Sequence, residues 1–407
     1  MKTFLLITSF IASLSFAFGQ NIDDNKVQFS YIQLPYFKID NAFTKYDVKF
    51  VHGYEQTNQE IIAAHEINKQ AAMDLFEQAM FQYRNATDSI DANYYRAMAQ
   101  WEKDVNAGKT QANGLALPQP IRQPYPPFPI FPGLEEPRLN SPMDETSVLN
   151  GINIEGFEKG FGGFVVTVNV LGMTDIQINE SKKGSGTATK YTYTATYTMP
   201  VELSVETPTQ GKLIHLRIMD GRQTQTIGSY KSKYDFELYK LTNEEQLYRE
   251  LETSARAKAI SQTNSYLNNQ VGYVTKTRNA ELYAVKRFKS YDYSDVTVAY
   301  TKTVQALMLV SQDRNRASAV AKIDEALAEW EMILEESNTY DSKARINDKI
   351  TAMIHCNMAE LLMWKGDFDQ SQVKVNLAIS EGGKFKRHAS GEQGFYADQK
   401  KRWDVHY

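Results

Sequence analysis

From Thr189 to Val205 the chain alternates. Tyr191, Tyr193, Ala195, Tyr197, Met199, Val201, Leu203 and Val205 are apolar or aromatic, and the positions between them are mostly Thr, Glu or Ser. Only a period of two separates those sets onto opposite faces, so the stretch predicts a half-buried antiparallel strand. Pro200 lies in its middle. Proline cannot donate to a ladder, which places the strand at an edge or at a bulge.

Similar signals flank it. Val27–Pro35 and Tyr46–His52 alternate before it, and Phe164–Leu171 leads towards it. Lys212–Met219 ends at the turn signal Asp220-Gly221, and Tyr230–Tyr239 reads as a last strand. The excess of 24 Tyr and 20 Phe over 4 Trp fits sheet. These segments predict an antiparallel β-sandwich-like domain.

Helical patterns interrupt and follow the strands. Thr57 to Val105 contains no Pro or Gly, and Ile61, Ala64, Ile67, Ala71 and Leu75 recur at three- and four-residue spacing. This predicts one long helix, or a hairpin of two with the break at Thr87-Asp88-Ser89. Nine of the 12 prolines then fall between Pro118 and Pro142. That run predicts extended polyproline II. It reads as a stiff connector back to the sheet or as a docking strip for an aromatic groove, with Tyr125, Phe128 and Phe131 as contact residues. From Thr242, with Glu245 completing a capping box, the pattern is helical again. Val271–Phe288 is ambiguous. Helices are expected at Ser294–Val310, Ala317–Glu336, Ser342–Trp364 and Phe368–Ser380.

The fold class is therefore α+β. Residues 1–19 read as a signal peptide, 20–56 as the first strands of the β-domain and 57–117 as a helical insertion. Residues 118–149 are the proline-rich connector and 150–240 the main part of the β-domain. Residues 241–383 form a helical domain, and 384–407 a basic-aromatic tail.

Lys2, the apolar run Phe4–Leu14 and Ala17-Phe18-Gly19 have the order of a Sec signal. No Cys follows that run, so a lipoprotein is not expected. The single cysteine, Cys356, permits no intramolecular disulfide, a usage common in bacterial periplasmic proteins. The expected location is the periplasm, the outer-membrane surface or the cell surface. A net charge of −4 gives no global basic field, so no nucleic-acid partner is expected.

One segment points to a family. Ala359-Glu-Leu-Leu-Met-Trp-Lys-Gly366-Asp-Phe368, with Ser371 and Ala378, resembles a tetratricopeptide repeat. Ala359, Ser371 and Ala378 fall at that family's small positions, and Gly366-Asp367-Phe368 supplies the turn. Ser371 stands where the family usually has Ala, and Leu362 where it usually has an aromatic residue. The resemblance implies a TPR-like helical stack with a concave surface that binds peptides or proteins, with Trp364 and Trp403 as further contact candidates.

No catalytic constellation accompanies it. His65-Glu66 begins like a zinc-protease helix, but the second histidine is replaced by Lys69. No serine sits in a Gly-x-Ser-x-Gly elbow. No catalytic residue, cofactor or metal ligand is assigned. The expected function is a non-enzymatic scaffold or assembly factor that binds another envelope protein. A glycan- or nutrient-binding protein is the alternative, and a hydrolase with a site at the domain interface is the third reading.

Overall fold

The structure, a computed structural model, describes residues 21–185, 189–287, 290–381 and 383–407. The expected signal segment and residues 186–188 lie outside them. The protein is mixed α+β. Among the described residues the strands form three sheets.

The first has the order β3 (Glu158–Lys159), β2 (Lys45–Val51), β4 (Phe164–Val170), β7 (Val201–Thr207), β8 (Gly211–Ile218). The second has the order β5 (Thr174–Lys183), β6 (Lys190–Thr198), β9 (Gln223–Tyr230). In the first, β2 runs parallel to β3 and β4, and the other pairings are antiparallel. Three connections cross from one sheet to the other: β4 to β5, β6 to β7 and β8 to β9. Each crossing breaks the extended backbone, through Gly172 at φ 86°, Pro200, and Met219 at φ 59°.

The Thr189–Val205 stretch is thus two strands. The alternation continues through Pro200, but the halves belong to different sheets. Pro200 sits at the bend, where its missing N–H costs no ladder bond, and its carbonyl accepts from Leu171 N at 3.1 Å.

Inward residues of the first sheet, including Tyr46, Val166, Val168, Leu203 and Val205, share one core with Leu247, Leu251, Ala255 and Ala259 of α3 (Lys233–Gln270). Val148 of α2 (Glu145–Gly151) joins them. Ala195 and Tyr197 of β6, in the second sheet, belong to the same core, so both sheets and these helices contribute to it. The end of α3 also differs from expectation. Its capping box is Ser232 with Asp235, not Thr242 with Glu245, and the helix starts inside the segment read as a last strand. Asn243, at φ −132°, kinks it where the sequence placed its start. Before the kink, Phe236 stacks on Tyr193 of β6 at 3.7 Å.

The third sheet is a ribbon of β1 (Asn21–Gln33) and β10 (Val274–Arg287). The alternation of Val27–Pro35 predicts a strand of the β-domain, but β1 pairs antiparallel with β10 instead. The ribbon joins the core of the last helices: α4 (Ser294–Met308), α5 (Ala317–Leu334), α6 (Asp348–Lys365), α7 (Phe368–Ser380) and α8 (Gly383–His406). Consecutive helices touch, and α4 meets α6 as α6 meets α8. The terminal segment read as a tail is α8. Lys384 pairs with Asp24, Lys400 with Asp369 and Arg402 with Asp398.

Candidate functional site

The longest element is almost wholly unburied. Helix α1 (Gly53–Asn106) runs 54 residues, roughly 80 Å, without a break at 87–89, and its only buried residue is Tyr54. With neither Gly nor Pro between Thr57 and Val105, nothing in the sequence interrupts it. The proline-rich segment returns along it. Trp101 Nε1 donates to Leu117 O at 3.1 Å. Arg122 lies 5.0 Å from the Tyr94 ring, and Tyr125 donates to Asp91 at 2.7 Å. Phe128 meets Tyr83 at 5.3 Å and Phe131 meets Phe76 at 5.5 Å, both edge to face. The steps match: seven helical residues rise about 10.5 Å and three polyproline residues about 9.3 Å. Helix and strip form one arm.

The arm is pinned at its root. Asn140 is buried and donates through its N–H (2.8 Å) and Nδ2 (3.1 Å) to Asn58 Oδ1. Asn58 Nδ2 donates back to Asn140 O at 2.9 Å. Asn140 Oδ1 accepts from Met173 N at 2.6 Å, beside the strand bend. A Cβ on Gly172 would lie 2.8 Å from the Asn140 side chain, which together with its positive φ explains glycine there. Next along the chain, Glu252 of α3 accepts from Ser141 N (2.9 Å) and Oγ (2.8 Å). Arg138 stacks over Tyr248 at 3.8 Å.

The helical positions singled out in the sequence converge at one crossing. Ser371 Oγ donates to Ala359 O at 2.8 Å, so α6 and α7 meet through their small residues. Leu362, Phe368 and Ala378 are buried around them. Gly366 ends α6 in a left-handed conformation, φ 92°, beneath the Trp403 ring.

The β1–β10 ribbon packs against these helices. On the side shared by α4, α6 and α8 lies the β1–β10 ribbon. Phe29 and Tyr31 meet Trp364 at 5.5 and 4.9 Å, and Tyr283 meets Phe385 at 5.0 Å. Asn357 of α6 bonds both backbone groups of Tyr283, covering part of the β10 edge. Trp364 is fully buried, so it is no partner surface. Trp403 is half-buried over Gly366 and Arg316. Tyr125, Phe128 and Phe131 are partly exposed, but they grip α1.

Two buried ionic groups hold this region. Glu360 accepts from Arg278 Nε (2.6 Å) and Nη2 (2.7 Å), from Trp364 Nε1 (2.8 Å) and from Tyr396 OH (2.8 Å). Burial alone would raise its pKa, but Arg278 and these donors hold it below the ordinary value. Arg316 is buried between Trp364 (4.6 Å) and Trp403 (4.7 Å), donating to Gln399 Oε1 and to Met363 O near the α6 C-terminus. Burial pulls its pKa down to about 10. The helix end and two indole faces supply the negative potential that a carboxylate otherwise would.

Among the described residues no group of three or more His, Cys, Asp or Glu could hold a metal ion. No described helix is long and apolar enough to cross a membrane. No family model matches the chain, and no curated protein or solved structure matches it either.

Proposed function

We propose that this chain is an exported protein of a bacterial envelope, acting as a non-enzymatic protein-binding scaffold or assembly factor. One observation carries the reading. About a fifth of the chain, residues 59–139, forms an arm that contributes no residue to either hydrophobic core. A segment that size adds reach and surface, which suits assembly. In this reading α4–α8 are a TPR-like stack, supported by the Ser371–Ala359 crossing and by the shared side of α4, α6 and α8. The stack is a platform rather than the receiving groove, because the β1–β10 ribbon occupies that side. Export rests on the order of charge, apolar run and small residues at the start of the chain.

The test is chemical crosslinking in intact cells, comparing the full chain with a version in which residues 59–139 are replaced by a short loop. A stoichiometric partner should crosslink to the full chain alone. Equal recovery by both would remove the arm from the function.

A polar cleft favours a second reading, glycan or nutrient binding. It has a volume of about 620 Å³, and Ser261, Gln262, Ser265, Tyr266 and Lys276 line it. Hydroxyl and amide groups beside a tyrosine ring suit a polyhydroxylated ligand. Binding on a glycan array that Tyr266→Ala abolishes would favour this reading over the first.

A further inference from the structure

The proline-rich strip has a periodicity that a connector does not need. Polyproline II has three residues per turn, so positions three apart share a ridge. Leu117, Pro120, Pro126 and Pro129 are half-buried on one ridge, which the exposed Gln123 interrupts. Arg122, Tyr125, Phe128 and Phe131 form a second, gripping α1 through the contacts above. The third ridge is Pro118, Ile121, Pro124, Pro127 and Ile130, and all five are exposed. Ile121 is 91% and Ile130 89% exposed. Every side chain on this ridge is apolar over roughly 37 Å. A solvated connector would favour polar side chains there, and none of the described residues covers these, so the ridge marks a contact surface.

We propose that this ridge docks into an uncharged, aromatic-lined groove on a partner protein. Pro124 and Pro127 form the Pro-x-x-Pro pair in the groove, and Ile121 and Ile130 are flanking anchors. The proposal rests on the scaffold reading and names the kind of partner that the arm would take.

Three features select this partner. The strip is held in its extended form by α1, so little conformational entropy remains to be lost on binding. Its backbone carbonyls from Pro118 to Leu139 accept no hydrogen bond from the described residues, leaving them open to the indole and phenol donors of such a groove. Arg122 is the only charged residue between 110 and 134. It is already engaged by Asp91 at 3.6 Å and by the tyrosine rings, so the ridge complements a neutral groove rather than an acidic one.

A second copy of the chain fits less well. A ridge of this size offers on the order of a few hundred Å², against about 800 Å² per partner in a stable dimer. Among the described residues the most exposed aromatic side chains, Phe161, Tyr234 and Tyr340, sit on the β3–β4 loop, on α3 and on the α5–α6 loop, so no single described element offers a receiving groove.

The experiment uses the full chain in its native cells, with p-benzoylphenylalanine placed at Ile121 or, separately, at Ile67. Ile67 is 70% exposed on the side of α1 away from the strip. Ile121 should crosslink to a different protein, through a partner segment that lines an aromatic groove. Pro124→Ser with Pro127→Ser should lower that yield at least roughly tenfold with an unchanged melting curve. Ile130→Ser, which keeps every proline, should also lower it. Crosslinking to a second copy, an undiminished yield in these variants, or no crosslink at Ile121 would overturn the proposal. A partner captured from Ile67 but not from Ile121 would sink the ridge and leave the scaffold reading standing. Silence at both positions would count against both.

Discussion

Replacing Glu360 by Gln tests the interface between the ribbon and the helices. Glu360 is 4% exposed and its two oxygens accept four hydrogen bonds. A glutamine keeps one acceptor oxygen and turns an NH₂ towards two donors. Arg278 would retain only Glu392, at 2.8 Å, as a charged partner. Breaking a buried pair from one side costs about 3–5 kcal/mol, because the remaining charge stays buried. For a unit of this size that lowers the midpoint by roughly 10 °C. Tryptophan fluorescence reports it locally, since Trp330, Trp364 and Trp403 lie on α5, α6 and α8, and only Trp101 lies elsewhere. Arg278→Met combined with Glu360→Gln should cost less than the sum of the single variants. The acid side follows from the lowered Glu360 pKa. Its contribution is complete above the unfolded glutamate value of about 4.3 and is lost as pH falls through the lower folded value. An unchanged midpoint, or strict additivity of the two substitutions, would refute this account.

Four further outcomes are expected. Joining Asn58 to Asn140 through two glycines should leave the body's melting midpoint within about 4 °C of the parent, an effect near 1 kcal/mol; a collapse of the transition would show that the arm supports the core. Gly366→Ala should cost about 1–3 kcal/mol, because the residue sits at φ 92° and its Cβ would lie 2.8 Å from the Trp403 ring; an unchanged urea midpoint contradicts that. His355 is buried with Nδ1 unpartnered, and burial holds its pKa down at about 4. Its contribution to stability is therefore complete above the unfolded value of about 6.5 and declines as pH falls towards 4, and an NMR titration with a midpoint near 6.5 would be inconsistent with this. Burial pushes the Cys356 thiol up to about 12, so iodoacetamide should label it only after unfolding, and rapid labelling of the native chain would disprove its inertness.

Local patterns in the sequence carry some of this architecture and long-range pairing carries the rest. The absence of Pro and Gly predicts a long helix after Thr57, and α1 is that helix. The small residues Ala359 and Ser371 mark a contact between helices, and their side-chain-to-backbone bond is that contact. The pairing of Val27–Pro35 was not legible, because β1 meets β10 across about 250 residues while neighbouring strands are the default expectation. Alternation could not reveal the division at Pro200, since the inward phase continues through the bend. At the arm, the aromatic character of Tyr125, Phe128 and Phe131 marks them as contact residues, and the contact they make is with α1. The signal for the outward ridge was the phase of three in Pro118, Ile121, Pro124, Pro127 and Ile130, which was already in the sequence.

The packing of the β1–β10 ribbon on α4, α6 and α8 bears directly on where a partner could bind. A peptide could enter the α4–α6–α8 side only by displacing the ribbon. That would expose at least Val27, Phe29, Tyr31, Leu282, Tyr283 and Val285, all buried. At about 1.5–3 kcal/mol for each large apolar side chain, the loss is roughly 9–18 kcal/mol before Arg278 and Glu360 are separated. A peptide bound at 1 μM supplies about 8 kcal/mol. Displacement is therefore unfavourable for an ordinary ligand, and the ribbon is a fixed part of the helical unit rather than a gate. On the scaffold reading proposed above, a partner would be met on surfaces the chain leaves open. The arm combines reach with an uncovered apolar ridge, and it can be engaged without unfolding anything.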